Sequence, residues 1–379
     1  MGRPIPRLTH SSLPSVENEA YLRDQIITYL GNKRALLRFI GEAVSTVRSK
    51  LGGRKISCLD AFSGSGIVAR YLKQHASHII ANDLETYSAI INRCYLANNS
   101  DLDLPALEAH LRQLKNAIRH HPSPGFIAAT YAPENDADIT VSDRAFYTRQ
   151  NAVILDTAAQ YIHTAVPEPL RPFLLAPLLS EASIHANTSG VFKGFYKDGQ
   201  GRGAFGGRAG HALTRILGAI APALPVLSDH DCTRSIHQED ANTLVRNLPE
   251  IDLAYLDPPY NQHPHGSNYF MLNLLVDYTP PADISTVSGI PAAWNRSAYN
   301  RSHEAETALI RLIDACPAKY ILLSYNSEGF ISQNTFRTQL EKLGKLTVTE
   351  SPYNTFRGSR NLRNRPIKVT EHLYLLEKA

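Results

Sequence analysis

Four consecutive residues, Asp257-Pro258-Pro259-Tyr260, put a carboxylate, two conformationally fixed carbonyls and an aromatic ring side by side. That set suits chemistry on a planar amine. The prolines fix φ and remove two N–H donors, which leaves the Pro258 carbonyl free to accept a hydrogen bond. A carboxylate beside a rigid acceptor carbonyl can hold an NH2 group by both hydrogens and keep its lone pair aimed at an incoming methyl group. Tyr260 adds a face on which a base can stack, with about 1–3 kcal/mol of attraction. An aromatic amine is a weak nucleophile, so such a site needs positioning and charge stabilisation more than a strong base. The plainer alternative is a rigid strand exit, since prolines do end strands.

A second group lies near the N-terminus: Asp60-Ala61-Phe62-Ser63-Gly64-Ser65-Gly66, with Asp83 further on. Glycines let a chain turn tightly out of a strand and approach a ligand closely. Asp83, at the end of the next apolar run, is placed to accept hydrogen bonds from ribose hydroxyls. Gly64-x-Gly66-x-x-Ala69 followed by Asp83 also satisfies a dinucleotide fingerprint, so this motif alone leaves both ligands open. Asp60 tilts the choice. An acid beside the glycines repels a pyrophosphate and suits the cationic amino-acid end of S-adenosylmethionine.

The elements that must position these residues can be read around them. Residues 56–60 (ISCLD) and 251–256 (IDLAYL) are short apolar strands that lead directly into the two motifs. Leu36, Leu37, Phe39, Ile40, Val44 and Val47 have helical spacing that ends at Gly52–Gly53, and 67–74 is a further helix. Residues 78–83 repeat the strand-then-acid pattern, so the unit is α/β with a parallel sheet. Further strands are predicted at 319–325, 345–350 and 368–376, the last two as a terminal hairpin. Between 97 and 235 helical periodicity dominates, and a Gly- and Arg-rich stretch at 193–208 is read as a mobile loop. The organisation expected is a catalytic domain split between 1–96 and 236–379, with 97–235 inserted; residues 1–20 are a polar arm.

Composition sets the outer bounds. The 379 residues are 43% hydrophobic and 20% charged, the balance of a globular protein with a sizeable core. A formal net charge of +4 permits an acidic partner without demanding one. Cys58, Cys94, Cys232 and Cys316 lie far apart without C-x-x-C spacing, which suits a reduced, cytoplasmic protein rather than a disulfide scaffold or zinc site. No apolar run approaches membrane-spanning length, and the N-terminus has no apolar signal-peptide core.

With both motifs in view, the sequence resembles the Dam-like (D12 class) adenine-specific DNA methyltransferases. Thr28-Tyr29-Leu30-Gly31-Asn32-Lys33 looks like that family's aromatic-x-Gly-x-Lys motif, with Tyr29 where a tryptophan is common and Asn32 where a second glycine is common. The resemblance implies a Rossmann-like S-adenosylmethionine-dependent methyltransferase sheet with a terminal β-hairpin, and a mostly helical target-recognition insert. It implies that Tyr29, Lys33, Asp60, Phe62, Gly64, Gly66, Asp83, Asp240 and Asp257 hold the cofactor. Asp257, Pro258, Pro259 and Tyr260 become the catalytic motif, acting on adenine N6 of a base flipped out of duplex DNA. Residues 260–270 (YNQHPHGSNYF) resemble a branch associated with restriction–modification, which implies a partner endonuclease acting on the same site. One transfer per encounter needs only a monomer.

Two basic segments are candidates for phosphate contact: Lys193, Lys197, Arg202 and Arg208, and Arg357, Arg360, Arg363, Arg365 and Lys368. A disordered linker and a solvated hairpin tip are the respective alternatives. His263 and His265 have no accompanying ligand cluster, so no metal site is expected, and both should line the site or cap a turn. Cys316 precedes a proline, the reverse of the cytosine-C5 order, and reads as a small residue ending a helix. Methylation of cytosine N4, RNA or protein, and a non-catalytic DNA-binding subunit of the same fold, are the competing functions.

Overall fold

The computed structural model describes residues 17–354 and 368–379. Residues 1–16 of the polar arm, and Arg357, Arg360, Arg363 and Arg365, lie outside them.

Seven strands form one sheet: β1 (Ile56–Asp60), β2 (Ala76–Asn82), β3 (Thr233–His237), β4 (Ile251–Leu256), β5 (Ala318–Asn326), β6 (Gly344–Asn354) and β7 (Lys368–Lys378). Their order is β3-β2-β1-β4-β5-β7-β6. The first five are parallel, and β7 runs antiparallel to both β5 and β6 as the expected hairpin. From β1 the chain steps outward to β2 and β3, then returns to β4 on the other side of β1. The order therefore reverses between β1 and β4, and the crevice beyond their C-terminal ends is the natural ligand site of an open parallel sheet. Asp60 is paired with Tyr255, so Ala61 and Phe62 leave the sheet beside Asp257.

Alternation along the strands divides the core. Cys58, Leu253 and Leu322 face helices Leu37–Lys50 and Ile67–Lys73; Leu59, Ala254 and Ile321 face helix Ser302–Ala315. A third cluster joins the insert helices Leu104–His120, Arg149–Ala165 and Pro172–Ile184 to helix Thr86–Tyr95 and to helix Phe270–Asp277. The insert is thus packed directly against the segment that follows the Asp-Pro-Pro-Tyr turn.

Two features differ from the expectations. β3 is an extra strand, beginning inside the stretch read as insert. Its sequence, TRSIH, lies at the sheet edge, is part-exposed throughout, and carries no apolar run to announce it. The Gly-rich stretch is a folded turn rather than an open loop. Asp198 accepts from the backbone of Gln200 and Arg202 and from the Arg202 guanidinium, and Asn187 pins Gly206. Glycine there serves the turn: Gly201, Gly206 and Gly207 all have positive φ.

Candidate active site

The crevice at the reversal point is walled by residues from both motifs. Tyr29, Gly31 and Lys33 come from the segment before helix Leu37–Lys50, and Ala61 and Phe62 from the end of β1. Asp83 and Glu85 follow β2, Asp240 follows β3, and Asp257 through Tyr260 follow β4. One cavity therefore brings together sequence elements that lie far apart along the chain.

Its centre is a buried charge cluster. Lys33, 3% exposed, places Nζ 3.0 Å from Asp257 Oδ1 and 3.4 Å from Glu371 Oε1. It also donates to the Gly31 carbonyl at 3.3 Å. A lysine has three N–H donors, and three acceptors meet them here. Lys33 lines the cavity, but its ammonium is turned toward the carboxylates. Glu371, on β7, also accepts from Ser324 Oγ at 2.6 Å. Burial pushes the Asp257 pKa up to about 6; Lys33 works against this shift and Glu371 adds to it. Glu371 escaped the sequence reading. Its one signal is position: β7 alternates, and Glu371 stands on the face of Leu373 and Leu375, an acid on an apolar stripe.

Tyr260 is braced by the loop after β5. Phe330 donates its N–H to the Tyr260 carbonyl at 3.3 Å, and the Tyr325 ring meets Tyr260 edge-on with centroids 5.8 Å apart. The motif's aromatic face is thus held rather than left to rotate.

On the opposite wall, Tyr29 stacks on Tyr269 at 5.0 Å, and its hydroxyl lies 2.7 Å from His265 Nδ1. Burial, with Lys33 nearby, lowers the His265 pKa to about 4, so the ring is neutral at ordinary pH. His263 and His265 both line the cavity. Asn32, where a glycine is common, caps the short helix that carries Lys33 by accepting from the Arg34 N–H at 2.8 Å. Gly64 has φ +52°, and a Cβ there would meet the Tyr29 ring at 2.7 Å, so the loop and Tyr29 require glycine at that point. Its N–H is held at 2.7 Å by Asp83, whose other oxygen accepts from the Glu85 N–H at 3.0 Å. Gly66 begins helix Ile67–Lys73 with a positive φ.

Asp60 is 1% exposed and makes no hydrogen bond of regular geometry among the described residues, although the backbone N–H groups of Ala69 and Phe62 lie close enough to lower its pKa. Burial, with Asp257 and Asp83 nearby, raises its pKa well above the usual carboxylate range. Two carboxylates, those of Asp257 and Glu371, therefore flank one lysine, and Asp60 adds a further carboxyl near Asp257. Phe62 packs edge-on against Tyr299 at 5.0 Å, and Asp240 caps helix Ala241–Leu244 at the far end of the cavity. The cavity wall mixes the rings of Tyr29, Phe62, Tyr260 and Tyr299 with the acids Asp83, Glu85, Asp240 and Asp257.

Comparison with known proteins agrees with this geometry. Residues 29–339 match the model of the D12 class N6 adenine-specific DNA methyltransferases. The chain belongs to that family. The match favours adenine N6 over the competing amines and over a non-catalytic subunit. Among its relatives, Type II methyltransferase M.NlaIII of Neisseria lactamica is 30% identical, over 93% of this chain and 99% of that protein. Type II methyltransferase M.CviAII of Paramecium bursaria Chlorella virus 1 is 28% identical, over 88% and 93%. Type II methyltransferase M.FokI of Planomicrobium okeanokoites is 24% identical, over 84% of this chain and 48% of that protein.

In this N6-adenine methyltransferase the basic residues of the Gly-rich turn are unequally placed. Lys193 Nζ lies 3.4 Å from His263 Nδ1, at the cavity wall. Lys197 sits over the Phe195 ring at 4.9 Å, and Arg202 is committed to Asp198 at 2.9 Å. The Arg208 guanidinium packs close against Gly199, inside the turn. Among the described residues no group of three or more His, Cys, Asp or Glu side chains could hold a metal ion. The four cysteines are free, and no described helix is long and apolar enough to cross a membrane.

Proposed function

We propose that this methyltransferase takes its methyl group from S-adenosylmethionine and delivers it to an adenine flipped out of duplex DNA. The carrying observation is that one cavity holds both the carboxylate-rich nucleoside slot and the Asp-Pro-Pro-Tyr turn. The buried Asp60 and the excess of carboxyl groups over lysines at the site suit a cationic cofactor. Asp60, Phe62, Gly64, Gly66, Asp83 and Asp240 would hold it, with Tyr29 behind the loop. When bound, the cofactor supplies an already activated methyl group.

The remaining work falls to the chain's own side chains. Lys33 takes Asp257 Oδ1, which leaves Oδ2 to accept one amine hydrogen while the Pro258 carbonyl accepts the other. Tyr260 stacks on the base. Positive charge grows on the amine nitrogen during transfer, and the net negative cluster of Asp257, Glu371 and Lys33 stabilises it. Asp257 can then hold the proton that the methylated amine sheds.

In this reading residues 97–235 recognise the target sequence. A cognate endonuclease is proposed from the relatives' Type II modification role. The free cysteines and the compact single-cavity site suit a cytoplasmic monomer.

The test is incubation of the protein with unmethylated plasmid and S-adenosylmethionine, then digestion to nucleosides and mass spectrometry, repeated from pH 5 to 8. N6-methyladenine is expected. Its rate should fall about tenfold per unit as the pH drops through about 6, because protonated Asp257 no longer accepts from the amine. A rate that is flat across this window would remove Asp257 from the mechanism, and absence of N6-methyladenine would refute the reading.

The arginine segment is assigned to DNA phosphates. Replacing Arg357, Arg360, Arg363 and Arg365 together by Gln should flatten the salt dependence of DNA affinity by up to about 3–4 log units per log salt. Equal slopes in variant and wild type would remove the segment from the interface.

A further inference from the structure

We infer that Glu371 is a positioning residue for methyl transfer: from β7 it holds the Lys33 ammonium so that Asp257 presents one fixed oxygen to the substrate amine. The inference rests on the reading of Asp257 given above.

The geometry argues for more than a structural ion pair. A lysine side chain is a flexible stem with a compact charge, and by itself it does not fix the carboxylate it pairs with. Here its three acceptors come from three separate elements: Gly31 in its own turn, Asp257 beyond β4 and Glu371 on β7. Glu371 is itself held by Ser324 of the neighbouring strand β5 and is 1% exposed. The central sheet thus acts as a fixed post, through Ser324 and Glu371, against which Lys33 and then Asp257 are set. Glu371 does not line the cavity wall, so it acts through Lys33 rather than on the substrate.

Glu371 also sets charge. Without it, Asp257 and Lys33 form a neutral pair; with it, the cluster carries a net negative charge that favours the growing cation on the amine. The other groups around the pair are Asp60 and Tyr255 near Asp257, and the Tyr260 ring and the neutral His265 near Lys33. These are unchanged when Glu371 is replaced. Removing the Glu371 charge takes away a neighbour that raises the Asp257 pKa, so the acid limb of the rate must move to lower pH.

The experiment compares Glu371→Gln with wild type in methylation at saturating DNA, across pH and across S-adenosylmethionine concentration up to saturation. The expected result is a maximal rate about 10–100-fold lower, a cofactor KM within about twofold of wild type, and an acid limb displaced to lower pH. A wild-type maximal rate with an unmoved acid limb would overturn the proposal. So would a raised KM with the rate unchanged, which would make Glu371 a binding residue. If Glu371→Gln does not fold, Glu371→Asp keeps the charge but shortens the reach to Lys33. It should lower the rate severalfold, and a wild-type rate in that variant would also overturn the proposal. Asp257→Ala, run in parallel, separates the two levels. Activity in that variant breaks the underlying reading, whereas its inactivity beside a normal Glu371→Gln breaks this inference alone.

Discussion

Asp257→Ala is expected to lower the methyl-transfer rate by about 10³-fold or more while the protein remains folded. The loss is large because one side chain has three tasks: it accepts the amine hydrogen, balances the charge that develops on nitrogen, and holds the proton afterwards. The fold survives because the substitution removes a part-buried carboxylate whose pKa is raised to about 6, and Lys33 keeps Glu371 as partner. Asp257→Asn is the sharper variant. Its amide must turn its oxygen toward the Lys33 ammonium, so its NH2 then faces the substrate's NH2, donor against donor. It should be nearly as inactive as alanine despite its almost unchanged shape. Circular dichroism and cofactor binding check the fold, and single-turnover kinetics check the rate. Asn activity near wild type would mean that the carboxylate is not the acceptor.

Lys33→Met is expected to damage both stability and catalysis. It leaves the buried Glu371 and the part-buried Asp257 facing each other without a cation, and breaking such a pair from one side costs up to about 3–5 kcal/mol. For a chain of this size the melting temperature should fall by roughly 5 °C. The sign of the pH dependence follows from linkage. In the wild type the Asp257 pKa is raised from 3.8 to about 6 on folding. The native state therefore holds a proton that the unfolded chain has released, and stability declines as pH rises across that window. In Lys33→Met the carboxylate pKa rises further, so the decline continues above pH 6, where this contribution is flat in the wild type. Methylation in the variant should be weak at neutral pH and partly restored in alkali. Thermal unfolding between pH 6 and 8 measures this, and an unchanged melting temperature would mean that Lys33 does not organise the cluster.

Much of this site was legible because strands and motifs adjoin. ISCLD and IDLAYL were readable as buried strands, their ends coincide with Asp60 and Leu256, and the chemistry follows within one or two residues. The terminal hairpin was visible in the alternation of KVTEHLYLL. What escaped has a physical reason in each case. β3 pairs only along one side and is part-exposed, so it needs no apolar run. The Gly-rich stretch looked open because glycine-rich composition does not distinguish freedom from a turn that demands positive φ; the Asp198 and Asn187 bonds decide it. Glu371 meets Lys33 only after the sheet has assembled, and local pattern carries no information about such a contact. Lys33 itself was legible as important, but its attachment to Asp257 was not.

The position of β7 has a consequence for biosynthesis. The last of the seven described strands in chain order lies between β5 and β6, both of which precede it in the chain. As the chain leaves the ribosome, β5 must wait with an open edge and β6 has no partner in the sheet until β7 slides in between them. The same insertion delivers Glu371 to Lys33, which lies more than three hundred residues earlier in the chain. A nascent chain halted before β7 would carry both recognisable motifs yet lack a finished charge cluster, so catalytic competence arrives in one step with closure of the sheet.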